Sequence, residues 1–164
     1  MKKAIAVSNI LSWINLVISG GLVLLALLSM LAYPGGGVQF LISAVLIGCT
    51  TLHSYAAIQL RKSIINPNIP LNKQTPVGIR VMGYMALFFS IMMFSQSVYM
   101  LQNTQDLLKQ VQFPKEMKNV DVKGLVRGVG FFILIFSFSV ILNVIMNFRF
   151  LRWYVISRDN DNPQ

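Results

Sequence analysis

The sequence predicts an all-α protein, an integral membrane four-helix bundle made of two antiparallel transmembrane hairpins. First, 55% of its 164 residues are hydrophobic and only 12% are charged, about half the charged fraction of a typical soluble protein. Second, long stretches carry no Lys, Arg, Asp or Glu, and the charged residues lie at their ends. Because a backbone in lipid must satisfy its own hydrogen bonds, each stretch of about 20 apolar residues is predicted to be a helix. We expect residues 1–164 to form one transmembrane domain.

The first hairpin is predicted from the longest uncharged stretch. The 57 residues from Ala4 to Leu60 contain no formally charged side chain, which is enough for two crossings and a turn. Proline followed by three glycines at Pro34–Gly37 cannot continue a regular helix and marks the turn. We therefore predict helices at 8–33 and 38–60.

A cleaved signal peptide is the competing interpretation of the N-terminus. Lys2 and Lys3 resemble the basic segment that precedes the apolar part of such a peptide. The apolar stretch that follows is too long, however, and it leads directly into a second span. A retained first helix is the preferred prediction.

The second hairpin is predicted from two shorter uncharged intervals. Between Arg80 and Asp106 lie 25 residues, and between Arg127 and Arg149 lie 21, so each interval fits one crossing. The predicted helices are 81–105 and 129–149.

Three segments are predicted to lie outside the crossings. They are a proline-rich cytoplasmic connector at 61–80, an extracytoplasmic loop at 106–128 and a cytoplasmic tail at 150–164. In the extracytoplasmic loop, the sequence predicts a helical extension up to Gln112 and an amphipathic segment at 115–123. This segment is expected to lie on the bilayer surface, the alternative being contact with another protein.

Orientation follows from the basic residues. Nine of the 14 Lys and Arg residues fall on the side that holds both termini and five on the other, so the side with the termini is predicted to be cytoplasmic, in a bacterial inner (plasma) membrane. The bases at the helix ends do not form a stripe with interleaved aromatic residues, which disfavours nucleic-acid binding. Basic and aromatic side chains at these ends are expected to anchor in the headgroup layer, the alternative being a specific site for anionic lipid or a partner. The predicted anchors are Arg61, Lys62, Arg80, Arg149, Arg152, Trp153 and Tyr154.

Polar residues inside the spans recur at helical spacing. In the first helix they follow steps of four, three and four, and in the last helix they recur every four residues, so each set forms one stripe on its helix. The two stripes are Ser8, Ser12, Asn15 and Ser19, and Ser139, Asn143 and Asn147. Because unpaired polar groups in hydrocarbon are unfavourable, we expect these stripes to face protein, either as helix packing or as the lining of a pathway.

His53 and Gln96 are the most polar isolated side chains in the spans. A lone histidine can relay protons or bind a metal, but the chain has no second histidine and its predicted spans contain no acid. We therefore predict no metal site, no cofactor and no catalytic residue, and assign His53 and Gln96 to the same packing or pathway set.

Two functions remain open from the sequence. The first is a non-enzymatic scaffold, accessory or regulatory subunit that assembles with other membrane proteins or with itself. The alternative is a small-solute transporter or channel subunit with a Ser- and Asn-lined interior. An intramembrane enzyme is disfavoured because the spans lack acid and base catalysts.

Overall fold

The computed structural model describes residues 2–66, 68–110 and 121–161, and this part of the chain contains helices and no strand. The helices are α1 (Lys2–Ala32), α2 (Gly37–Ile65), α3 (Thr75–Gln102), α4 (Thr104–Gln110) and α5 (Val122–Asp161), with a 3-10 turn at Pro34–Gly36. All but the short α4 are long and apolar enough to cross a membrane. The predicted all-α four-helix bundle is confirmed.

The four long helices run alternately up and down. Neighbouring pairs are α1 with α2, α2 with α3, α3 with α5, and α5 with α1, while α2 also contacts α5 across the bundle. The first turns of α1 and α3 therefore meet the last turns of α2 and α5. We call this the basic end, because it carries Arg61, Arg80, Arg149 and Arg152.

The helices extend beyond the predicted crossings, mainly at this basic end. α1 begins at Lys2 and not at residue 8, α2 ends at Ile65 and not at residue 60, α3 begins at Thr75 and not at residue 81, and α5 continues to Asp161 and not only to residue 149. At the opposite end α5 begins at Val122 and not at residue 129, so the last part of the predicted loop 106–128 is helical. The prediction ended each helix near its first charged residue. Charged side chains are compatible with helix outside hydrocarbon, so charge marks the limit of a crossing and not the limit of the helix. The predicted connector 61–80 shortens to residues 66–74.

At the opposite end, a break at Asn103 separates α3 from α4. Both the backbone N–H and the side-chain amide of Asn103 donate to the carbonyl of Tyr99. The predicted extension of the third helix is thus a separate helix that contacts α5. The predicted surface segment 115–123 falls largely on residues 111–120, which lie outside the described residues, as do residues 162–164 of the predicted tail.

The apolar core lies mainly along α3 and α5. At the basic end, Leu60, Ile79, Phe150 and Leu151 form one buried cluster. Further along the bundle, the buried residues Ala86, Phe136, Val140 and Val144 form a second. α5 thus presents valine to the apolar core, and its asparagines are left to face α1 and α2.

Candidate functional site: a buried polar cluster around Arg61

The polar stripes of α1 and α5 pair with each other along their antiparallel interface. Ser8 Oγ donates to Asn147 Oδ1 at 3.3 Å, and Ser12 Oγ donates to Asn143 Oδ1 at 2.7 Å. One level further along, Ser139 Oγ donates to Asn15 Oδ1 at 2.9 Å. The repeat of about four residues on both helices brings one pair together at each turn.

Arg61, on the last turns of α2, is the only charged side chain in this cluster. It is 1% exposed. Its Nη1 donates to Asn9 Oδ1 at 3.3 Å, and its Nη2 donates to Ser12 Oγ at 2.5 Å and to Asn147 Oδ1 at 2.8 Å. The guanidinium therefore joins α2 to both α1 and α5.

All three of these acceptors are neutral. The first 105 residues contain no Asp or Glu, and the five acids lie at positions 106, 116, 121, 159 and 161. Residue 159 is twelve residues beyond Asn147 on α5, about 18 Å along a helix. Arg61 is thus a buried cation that is held by amide and hydroxyl oxygens, with no carboxylate partner among the described residues.

Asn147 is the hub of the cluster, and Arg61 fixes its orientation. Because a guanidinium can only donate, the atom that it bonds must be the side-chain oxygen of Asn147. The Asn147 amide nitrogen then donates to His53 Nε2 at 3.2 Å and to Asn143 Oδ1 at 3.1 Å.

His53 completes a directed chain of hydrogen bonds. Its Nδ1 lies 3.2 Å from the carbonyl oxygen of Ile79, which can only accept. Nδ1 therefore carries the proton and Nε2 accepts, which describes the neutral imidazole. The chain of donors runs from Arg61 through Asn147 to His53 and ends on the backbone of α3.

Gly83 makes room for this arrangement on α3. A Cβ at this position would lie 2.6 Å from Phe148 Cε1 and 3.0 Å from His53 Cε1. The rings of His53 and Phe148 meet edge to face, with centroids 6.2 Å apart. A residue without a side chain is therefore required where both rings approach α3.

Several buried polar atoms of the cluster, and two on the same face of α2, have no partner among the described residues. They are Asn15 Nδ2, Thr50 Oγ1, Ser54 Oγ, Arg61 Nε and Asn143 Nδ2. The three nitrogens are donors, and the two hydroxyls can donate. The cluster thus combines positive charge with an excess of donors, which is the chemistry that binds an acceptor-rich or anionic group.

The structure brings together most of the predicted seam. Ser8, Ser12, Asn15, Ser139, Asn143, Asn147 and His53 form the cluster just described. Ser19 lies one level further along, where it donates to the carbonyl of Asn15 and accepts from Thr51 Oγ1 at 2.9 Å. Gln96 is separate from the cluster: it lies exposed on α3 and makes no hydrogen bond to the part of the chain that the structure describes.

The predicted interface anchors divide into two groups. Lys62, Arg80, Arg149, Arg152 and Trp153 are exposed at the basic end, and Tyr154 is half-buried beneath the guanidinium of Arg158. Arg61 differs from its prediction, because its side chain turns into the bundle and not towards the headgroup layer. The physical reason is that α1 and α5 offer three oxygen acceptors at that level.

The sequence carried a signal for Arg61 that charge counting missed. Thr50, Ser54 and Arg61 are spaced four and seven residues apart and share one face of α2 with His53. Extending the polar stripe of α2 to its first charged residue would have placed that residue inside. Asn9 was also missed, because it lies beside the stripe of α1.

No group of three or more His, Cys, Asp or Glu side chains that could hold a metal occurs within the described residues. Comparison of the chain with models of known protein families, with curated proteins and with solved structures found no match.

Proposed function

We propose that this protein spans a membrane and serves as a non-enzymatic accessory subunit that binds another membrane protein through α3. The proposal is based on Gln96. This polar side chain lies on the outer surface of a long apolar helix and has no hydrogen-bond partner among the described residues. Its amide, exposed to hydrocarbon, is unfavourable unless another protein supplies a hydrogen bond.

The membrane placement is supported by what the bundle exposes. Large apolar side chains cover the outside of all four long helices, for example Val17 at 68%, Leu31 at 80% and Ile135 at 65% exposure. Soluble proteins rarely expose so extensive an apolar surface to water. The excess of bases at the basic end favours a cytoplasmic location for both termini, in a bacterial inner membrane.

Gln96 belongs to a continuous stripe on α3. Met85, Phe88, Met92, Gln96 and Tyr99 follow steps of three, four, four and three, and all five are exposed. We call them the outer stripe. Met side chains adapt their shape to a neighbouring helix, and aromatic rings offer it a large contact area. The Gln96 amide and Tyr99 hydroxyl offer hydrogen bonds to it. A transmembrane helix of a partner is the occupant that matches this pattern.

Site-specific cross-linking in native membranes tests the accessory role. The single cysteine, Cys49, is buried and is first replaced by serine. Gln96→Cys is then compared with Ile135→Cys, which places cysteine at an exposed position of α5. The two positions lie at the same level, because Leu101 packs on Gly130 and the helices are antiparallel. Residue 96 is five residues before Leu101, and residue 135 is five residues after Gly130. After each introduced cysteine is labelled with a benzophenone maleimide, irradiation is expected to join position 96, and not position 135, to one other membrane protein by insertion into a C–H bond.

A second substitution tests whether the amide contributes to this contact. Gln96→Leu should lower recovery of the same partner, whereas Ile135→Leu should not. Equal cross-linking at both positions, or a product made only of two copies of this chain, contradicts the proposed hetero-complex.

A second candidate function, transport of a small anion, is favoured by the chemistry of the buried cluster. Arg61 has no carboxylate partner among the described residues, and the unpartnered buried atoms Asn15 Nδ2, Asn143 Nδ2 and Arg61 Nε are donors. Intramembrane charges commonly mark an ion pathway. Against a pathway, the cluster side chains other than the half-buried Asn9 and Ser139 are buried and bonded mainly to one another, as expected of helix packing.

Proteoliposome flux distinguishes the two functions. Uptake of chloride, phosphate or acetate that is abolished by Arg61→Met, in a variant that still folds, would support transport. If the native protein shows no flux, and Asn143→Leu and Asn15→Leu change the stability of the bundle, the polar cluster serves helix packing and transport is not supported.

A further inference from the structure

A surface groove between α3 and α5 lies at the basic end, outside the buried cluster. It has a volume of about 360 Å³. Arg80 and Tyr84 line it from α3, and Phe148, Leu151, Arg152 and Ile156 are among the residues that line it from α5. The groove therefore combines two cations with an apolar floor.

The two arginines face the groove at the same level of the bundle. Gly83 meets Phe148 and Leu101 meets Gly130 between α3 and α5. Because these two helices are antiparallel, a residue of α3 and a residue of α5 lie at the same level when their numbers add up to 231. By this register, Arg80 lies opposite residue 151, next to Arg152. Tyr84 and Phe148 lie about one turn deeper, with ring centroids 5.1 Å apart.

Neither guanidinium is occupied by the described part of the chain. Arg80 and Arg152 are exposed, and neither donates a hydrogen bond or forms an ion pair there. Two other arginines at this end are engaged: Arg61 is buried in the cluster, and Arg158 lies over the Tyr154 ring at 5.6 Å. Two guanidinium groups from different helices can donate hydrogen bonds to one phosphate from two sides.

From this geometry we propose that the groove binds the headgroup phosphate of one anionic phospholipid, with an acyl chain lying over Tyr84 and Phe148. The arginines supply charge and hydrogen bonds, and the aromatic pair one turn deeper covers hydrocarbon. A free phosphate would use only the arginines, whereas a phospholipid uses the whole groove. The inference rests on the proposed membrane placement and is independent of the accessory role.

Native mass spectrometry of the full chain in mild detergent tests the inference. Phosphatidylglycerol, phosphatidylcholine and inorganic phosphate are titrated separately. One phosphatidylglycerol should bind about tenfold more tightly than phosphatidylcholine, given the attraction of bases at a membrane surface to anionic lipid. The variant Arg80→Gln/Arg152→Gln should lose this preference, and Arg80→Lys/Arg152→Lys should retain part of it.

The matched control is Arg149→Gln/Arg158→Gln, which removes the same charge from the same end but outside the groove. This control should keep the preference, and thermal unfolding should show that all variants fold. Equal loss in the control and the groove variant would refute a defined site. Displacement of the lipid by millimolar inorganic phosphate would assign the groove to a soluble anion and refute the lipid. A chain recovered from the aqueous fraction of cells would refute the membrane placement itself, whereas an absent protein partner would leave the lipid result unaffected.

Discussion

α5 packs against two neighbours by different means. Its contact with α1 is a ladder of hydroxyl and amide pairs, from Ser8 with Asn147 to Asn15 with Ser139. Its contact with α3 depends on shape, because Gly83 admits Phe148 and Gly130 admits Leu101. One helix thus uses directional hydrogen bonds on one face and close apolar packing on another.

The proposed membrane placement accounts for this difference. Hydrocarbon provides little hydrophobic drive between apolar surfaces, so both close approach and hydrogen bonding are needed. Where helices approach closely, stability depends on the volume of each side chain at the contact. Where they are joined by a hydrogen-bond network, stability depends on every member of the network. Substitutions in the two interfaces distinguish these effects. In each case the free energy of unfolding is measured by SDS titration in micelles, followed by circular dichroism.

The largest effect is expected for Asn147→Leu. It removes an acceptor from Arg61 and a donor from His53, and loss of a hydrogen bond to a buried charge should lower the free energy of unfolding by about 3 kcal/mol. Arg61→Met is the informative comparison. It removes the buried cation together with its demand for acceptors, so it should change stability by less than about 1 kcal/mol.

The double variant Arg61→Met/Asn147→Leu should then be less destabilised than the sum of the single variants. Strict additivity would show that the guanidinium does not depend on Asn147, contrary to the geometry.

An intermediate effect is expected for Gly83→Ala, which places a methyl group against Phe148 and His53. Overpacking of this kind should lower stability by about 2 kcal/mol. Gly78→Ala is the matched control on the same helix, because no atom lies within 4 Å of its added Cβ. This control should be neutral or raise stability by up to about 1 kcal/mol, since alanine favours helix. Adding Phe148→Leu to Gly83→Ala should restore part of the loss, and failure of both expectations would remove the steric explanation.

The smallest effect is expected for Ser139→Ala, which deletes one hydrogen bond to Asn15 at the far end of the ladder. Single interhelical hydrogen bonds in membrane proteins contribute about 0.6 kcal/mol. Ser157→Ala should have no measurable effect, because among the described residues the Ser157 hydroxyl bonds only to the carbonyl of Trp153 in its own helix. A loss above about 2 kcal/mol for Ser139→Ala would mean that this rung is part of the Arg61 network.

Much of the cluster could be predicted from spacing alone. The steps of three and four in α1 and α5 define two polar stripes, and such stripes face protein in a bundle. Spacing could not predict which rungs meet, because the axial offset between α1 and α5 depends on the intervening helices and turns. It also gave no reason to separate Gln96 from His53, since each is an isolated polar residue in an apolar stretch.

The sequence by itself determined the all-α architecture, the four long apolar helices and the reversal at Pro34–Gly37, because composition and helical periodicity are local properties. Only the tertiary structure decided the inward turn of Arg61, the outward position of Gln96 and the approach of two aromatic rings to Gly83. A long side chain can turn either way from its helix, and the direction depends on acceptors that distant segments bring to the same level. For Arg61, those acceptors are on α1 and α5, 49 or more residues away along the chain.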